Sequence, residues 1–488
     1  MSTITIVGLG PGDPSQLTRA AWEILAGAEE VWLRTARHPT VAGFPQALQV
    51  HSFDALYETL ERPEQVYQAI AEQVLSLGAR PQGVIYAVPG HPHVAEAAVQ
   101  LIRQQAPARG LTVRLVAGLS FVEPALEALG VDALPQLQLA DALELAGRHH
   151  PPFHPDAPAL VAQLYSAGLA SDVKLTLMNQ YPDEHHVWLV HAAGTADARL
   201  EELPLYAIDR SPQIAHLTAL YVPPLPRPSA LETFQETIAH LRAPEGCPWD
   251  REQTHQTLRR NLLEETYEVL HALDADDPEA MREEFGDLLL QIVLHAQIAT
   301  EAGEYSLADV IADIQAKIIR RHPHVFGEVK VAGAADVVKN WELLKAEERK
   351  HKPQPAAGGL GEVPRGLPAL AQAETYQKRA ARVGFDWPEV AGVRAKVDEE
   401  LAEVAEADTP ETRHQEVGDL LFAVVNWARW LEVEPESALR EANARFAARF
   451  THMATAAQAQ GRPLSALSLE ELDGLWEQAK RALAGDAD

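Results

Sequence analysis

Short, continuous apolar runs alternate with amphipathic stretches over the first 221 residues. ITIVGLG, EVWLR, GVIYAV and TVRLVAG read as buried strands, as do VKLTLMNQ and HVWLVHAAG further on. Between them, PSQLTRAAWEILAGA and PHVAEAAVQLIRQQA place apolar residues three and four apart, the spacing of a helix face. Strand and helix in alternation predict an α/β domain. The pattern then changes. TLRRNLLEETYEVLHAL, MREEFGDLLLQIVLHAQIA, LADVIADIQAKIIRR and VKNWELLKAEERK all carry the helix spacing, with no strand run between them. The expectation for this part is all-α.

Two Pro-rich stretches, VPPLPRPSA at 222–230 and KPQPAAGGLGEVPRG at 352–366, continue neither element and read as linkers. The expected organisation is an α/β domain over 1–221, a linker at 222–230, a helical domain over 231–352, a linker at 353–365 and a second helical domain over 366–488.

The two helical segments repeat one another. Glu264, Glu265 and Glu268 precede Glu284 and Asp287; Glu399, Glu400 and Glu403 precede Glu416 and Asp419. Each half reads EExxE, a short connection, then ExxD. Lys317 and Arg321 match Arg445 and Arg449, and Trp341 and Lys345 match Trp476 and Lys480. A unit this long is two copies of a small helical domain rather than a solenoid repeat. Residues three and four apart share a helix face, so the acids of two antiparallel helices can converge. Carboxylates that close repel one another, and a divalent cation offsets the repulsion. An all-oxygen set suits Mg²⁺, which also takes phosphate oxygens. The cationic pairs on the following helix could hold those phosphates, and a purine could stack on Trp476. The chemistry suggested is metal-assisted hydrolysis of a phosphoanhydride.

The chain of 488 residues carries a formal charge of −29, which repels nucleic acid polymers and anionic membranes. Its one cysteine, Cys247, excludes an internal disulfide and fits a reducing cytoplasm. The opening MSTITIVGLGPGDP has no basic, apolar leader pattern, and no apolar run is long enough to span a bilayer.

Residues 231–488 resemble the MazG family of nucleoside triphosphate pyrophosphohydrolases, on GCPWD at 246–250, LEETYEVL at 263–270, RRHPHVF at 320–326, VGFDW at 383–387 and GDLLFAVVNWAR at 418–429. The resemblance implies an all-α homodimer that uses Mg²⁺ to convert a nucleoside triphosphate to the monophosphate and pyrophosphate. It implies metal ligands at Glu399, Glu400, Glu403, Glu416 and Asp419, and nucleotide contacts at Lys396, Arg445, Arg449, Trp476 and Lys480. The matching acids of the first copy, Glu264, Glu265, Glu268, Glu284 and Asp287, are expected to bind metal too. That copy has Asn261 where the second has Lys396, so it is expected to work weakly or not at all. The base that activates water is one of Glu399, Glu400 and Glu403, and the pattern does not choose among them.

In the first domain, VGLGPGDP at 7–14, YAVPGHP at 86–92 and VAGLSFVEPALEALG at 116–130 each end a strand in a glycine-rich turn. In a parallel sheet such turns gather at the edge where ligands bind. With LASDVKLTLMNQYP and VHAAG, they resemble the tetrapyrrole methylase family over 1–221. That resemblance implies an S-adenosylmethionine site at Gly8, Gly10, Pro11, Gly12, Asp13, Pro89, Gly90, His91 and Ser120. His91 stands where many members have Asp, so binding is expected more firmly than methyl transfer. The whole arrangement resembles fused proteins of the YabN type. Two further readings stay open: a methyltransferase with a regulatory helical region, and a ligand sensor on a scaffold.

Overall fold

The structure is a computed structural model that describes residues 3–60, 62–334 and 366–484, and between the last two positions 336, 337, 340, 341, 344, 348, 360 and 363. The chain divides into two compact units, Met1–Gln253 and Thr254–Asp488.

The first unit holds two five-stranded sheets. β1 (Thr3–Gly8), β2 (Glu30–Leu33), β3 (Gln49–Ser52), β4 (Val84–Val88) and β5 (Thr112–Val116) form a parallel sheet in the order β3-β2-β4-β1-β5. β1 is an interior strand between β4 and β5, and Ile4, Ile6 and Val7 are fully buried while Thr3 and Thr5 between them are only partly so. β6 (Gln138–Asp141), β7 (Ala159–Ala162), β8 (His186–His191), β9 (Arg199–Pro204) and β10 (Thr218–Val222) form a mixed sheet in the order β6-β7-β10-β8-β9.

One expected strand is a helix. VKLTLMNQ lies at the end of the helix Ala167–Leu177. The Val-Lys-Leu-Thr-Leu alternation mimics a strand, but the buried residues are Leu169, Ala170, Val173, Thr176 and Leu177, a helical stripe. Ser166 begins the helix, its hydroxyl accepting from the Leu169 amide. The stretch from Pro92 also becomes helical later than its pattern suggests: the helix runs Ala97–Gln105, because Ala95 sits at φ 55°. The Pro-rich stretch 222–230 lies within the first unit, where the amides of Ser229 and Ala230 donate to the Asp156 carboxylate at 2.8 and 3.1 Å.

The second unit is helical. Arg259–Asp274 packs along Pro278–Ala302, and Val390–Glu406 along Pro410–Trp430. Short connections make each pair an antiparallel hairpin. Asp277 caps the second helix of the first hairpin, and Thr409 does the same in the second. Leu307–Arg321 follows in the first copy; Pro435–Ala459 and Leu469–Ala484 follow in the second. Lys345, much of VKNWELLKAEERK and most of the stretch 353–365 lie outside the described residues. No helix among the described residues is long and apolar enough to cross a membrane.

Candidate active site: two carboxylate centres and a cavity

On the helix Val390–Glu406 the buried positions are Val393, Val397 and Glu400. Spaced four and three apart, they form one stripe facing the partner helix, so Glu400 occupies what the pattern makes a core position. It is 5% exposed. One carboxylate oxygen from each of Glu400, Glu416 and Asp419 lies within 4.8 Å of the others. The first copy repeats this with Glu265, Glu268 and Glu284.

Each hairpin thus gathers three of its five acids this closely. Asp287 stays near enough to Glu265 for its charge to be felt, and Glu403 near enough to Glu400 and Glu416. Glu264 and Glu399 sit one residue before the inward-facing Glu265 and Glu400, about 100° round the helix, and are exposed. Burial, a hydrogen bond with Glu268, and the charges of Asp287, Glu268 and Glu284 raise the Glu265 carboxyl above its ordinary range. Burial and the charges of Glu400 and Glu416 raise Glu403, against the pull of Lys396.

The copies differ in a cation. Lys396 Nζ donates at 2.8 Å to both Glu399 and Glu400, and these bonds raise its own pKa. Asn261 cannot do this for Glu264 and Glu265. Glu400 Oε2 remains buried without a partner. Magnesium holds its ligands at about 2.1 Å, so oxygens on opposite sides of one ion are about 4.2 Å apart. Three carboxylates within 4.8 Å, one with an orphaned buried oxygen, therefore fit a hard divalent cation.

The remaining cationic positions lie on the helices Pro435–Ala459 and Leu469–Ala484. Arg449 lies over the Trp476 ring at 5.5 Å, and Phe446 packs on the same ring at 5.3 Å. Trp476 also packs against a small core containing Met453, Leu475 and Ala479. Arg445 pairs with Glu441 at 3.4 Å and Lys480 with Glu477 at 2.6 Å, each on its own helix.

The first unit contains a cavity of about 600 Å³. Gly10, Pro11, Pro89, Gly90 and His91 line it; Gly8, Gly12, Asp13 and Ser120 are not among its lining residues. The glycine turns serve each other more than a ligand. Gly90 N donates to Gly10 O at 2.8 Å, and Gly10 N returns the bond at 3.3 Å. A Cβ on Gly8 would stand 2.6 Å from both Gly118 N and Gly90 O, so this glycine lets backbones touch. The Asp13 carboxylate accepts from the Ser15 amide, and this bond lowers its pKa. Ser120 donates to Glu123 at 2.6 Å. His91 Nδ1 accepts from the His93 amide at 3.1 Å.

Three cavity residues had no part in the motifs. Arg34, just after β2, donates through Nη1 to Glu96 Oε1 at 2.6 Å. Burial pushes the Glu96 carboxyl up to about 7, against the pull of Arg34. His38 is 5% exposed, and burial, with Arg34 and His216, pushes it down to about 4. The only sequence signal was LRTARHP, cations directly after a strand end, where ligands of parallel sheets bind.

A linkage prediction follows from this pair. The folded state favours protonated Glu96, so its contribution to stability is lost as pH rises from the ordinary 4.5 to about 7. His38 acts oppositely, its contribution being lost as pH falls from 6.5 towards 4. The difference between wild type and Glu96→Gln isolates the first effect. The variant should unfold with a flatter pH dependence across 4.5–7. Superimposable profiles of thermal midpoint against pH would contradict the assignment.

The family described as Tetrapyrrole (Corrin/Porphyrin) Methylases matches residues 3–209, and the MazG nucleotide pyrophosphohydrolase domain matches residues 253–326. The uncharacterized protein YabN of Bacillus subtilis is 40% identical over 491 residues, 98% of each chain. The nucleoside triphosphate pyrophosphohydrolase/pyrophosphatase MazG of Thermotoga maritima is 45% identical over 250 residues, covering 51% of this chain and 95% of that protein. The nucleoside triphosphate pyrophosphohydrolase of Escherichia coli K12 is 44% identical over 250 residues, 50% of this chain and 94% of its own. A parallel-sheet unit followed by paired carboxylate hairpins, with a relative matched almost end to end, identifies the chain as a member of the YabN family, in which a tetrapyrrole methylase domain is fused to a MazG nucleotide pyrophosphohydrolase domain.

Proposed function

We propose that the helical unit hydrolyses nucleoside triphosphates to monophosphate and pyrophosphate with Mg²⁺, and that the second copy carries most of the activity. The observation that supports this best is the convergence of Glu400, Glu416 and Asp419, with Glu400 buried and one of its oxygens unsatisfied. These three would hold the metal, with Glu403 beside them. The ion would supply charge neutralisation at the phosphates and a lowered pKa for water. Lys396, bridging Glu399 and Glu400, lies beside the same centre and would meet a phosphate oxygen there. Glu399, Glu400 and Glu403 remain the candidates for the proton acceptor. The raised pKa of Glu403 suits a proton acceptor. Arg445, Arg449, Trp476 and Lys480 would grip the nucleotide.

The protein would act as a homodimer in the cytoplasm, clearing unwanted nucleotides. Apolar side chains left open on the hairpins, among them Phe285 at 49% and Leu421 at 53% exposed, support pairing through the helical unit. The first unit would bind S-adenosylmethionine in its cavity, beside Pro89, Gly90 and His91. Calorimetry with S-adenosylhomocysteine tests that part; no heat from folded protein rejects it. For the hydrolase, activity on a panel of NTPs and dNTPs should vanish with EDTA and return with excess Mg²⁺. Full activity in EDTA after exhaustive chelation would refute a carboxylate-held metal.

A further inference from the structure

The end of the cavity near β2 is built differently from the rest. Arg34 uses one N–H, on Glu96, and its side chain is 23% exposed. Its Nε is buried without a partner, as are Glu96 Oε2 and His38 Nδ1. Arg–carboxylate pairs are frequently bidentate; this one is single, and its orphaned donor, Arg34 Nε, is the atom that an anion would meet. An orphaned buried polar atom is costly, so it calls for an explanation. Arg37 and His216 also line the cavity, and His216 is close enough to His38 for its charge to depress that imidazole. Tyr57 and Tyr67 stand around Arg34 and Glu96 and provide flat apolar walls. Leu143, Ala162, Val190 and Ala219 add apolar lining. Two arginines, Arg34 and Arg37, thus line the cavity of a chain whose total charge is −29, Arg34 held by Glu96 and Arg37 reaching Glu58 at 3.5 Å. Backbone strain gathers here too, with Ala95 at φ 55° and Gln163 at φ 63° both in the cavity wall.

We propose that Arg34 and His38 form an oxyanion subsite, which receives a carboxylate or phosphate group at one end of a compact, ring-sized ligand. Arg34 is the ion-pair donor and His38 a hydrogen-bond donor. Glu96 holds the guanidinium in place until the anion arrives. The body of the ligand rests between Tyr57 and Tyr67. The subsite goes beyond the function proposed above and does not depend on S-adenosylmethionine binding, so it is tested with no cofactor present.

Titration calorimetry on the full chain, without metal, uses phenyl phosphate, benzoate and the neutral benzyl alcohol. Saturable binding of at least one acid is expected, weakened by added salt, with the alcohol much weaker. Tighter binding of phenyl phosphate points to a phosphate ester as the natural ligand; tighter binding of benzoate points to a carboxylic acid. Arg34→Gln should weaken the acid by about tenfold or more, as expected for a lost charged hydrogen bond. Glu96→Gln should act in the opposite direction, because it frees the guanidinium, and a merely structural role would not give opposite signs. Thermal unfolding confirms that each variant is folded; if Arg34→Gln is not, Glu96→Gln and His38→Gln carry the test. Tighter binding in the first and weaker binding in the second supports the subsite. Unchanged affinity in the folded variants, equal binding of the alcohol, or no saturable binding to wild type at tens of millimolar overturns it.

Discussion

Glu400→Gln should lower the rate of NTP hydrolysis by about a hundredfold or more, because it removes a charge from the proposed metal centre. The substitution keeps the size of the side chain and an acceptor oxygen. Lys396 keeps its other partner, Glu399, at 2.8 Å, so it is not left unpaired. The helix rests on Val393 and Val397, which are untouched. A large loss of rate with an unchanged unfolding midpoint is therefore a loss of chemistry, not of structure. Asp419→Asn should behave alike. In the first copy Glu265→Gln should cost far less, since Asn261 offers its carboxylates no cation. Equal losses from Glu400→Gln and Glu265→Gln would show that the copies are equivalent or coupled. No loss from Glu400→Gln would remove the centre from the reaction.

The largest expected effect on stability is at Gly8. Its Cβ would meet the backbone of two other strand ends, Gly118 N and Gly90 O, each at 2.6 Å. No flexible side chain is there to move aside. Gly8→Ala should therefore cost the first unit about 3 kcal/mol or more, the upper range of overpacking. The turns that carry Gly10 and Gly90 would shift with it, so ligand binding in the cavity should fall. Hydrolysis should persist, because the carboxylate centres lie in the other compact unit. Wild-type unfolding and binding in Gly8→Ala would mean that these turns are not locked by backbone contact.

What the sequence made legible depended on distance along the chain. The stripe Val393, Val397, Glu400 is local, so helix periodicity alone brings Glu400 to face its partner. The same periodicity turns Glu399 away, a difference of phase that a count of five acids passes over. VKLTLMNQ misled because a buried helix with a threonine and a lysine at alternate positions looks like a strand over a short window. The glycine turns were correctly placed together at strand ends, but their amides bond to one another, which only the Gly10–Gly90 bridge reveals. Arg34 and Glu96 are 62 residues apart, and neither belongs to a motif. Their pairing comes from the β2–β4 neighbour relation in the sheet, which no local pattern encodes.

The account stands most directly on which phosphoanhydride bond is cut. Phosphorus NMR of the full chain with an NTP and Mg²⁺ reads this without coupling enzymes. Resonances of the nucleoside monophosphate and pyrophosphate should grow together in equal amounts, and both should grow about a hundredfold more slowly in Glu400→Gln. Growth of the diphosphate and orthophosphate instead, or a wild-type rate in the variant, would contradict it.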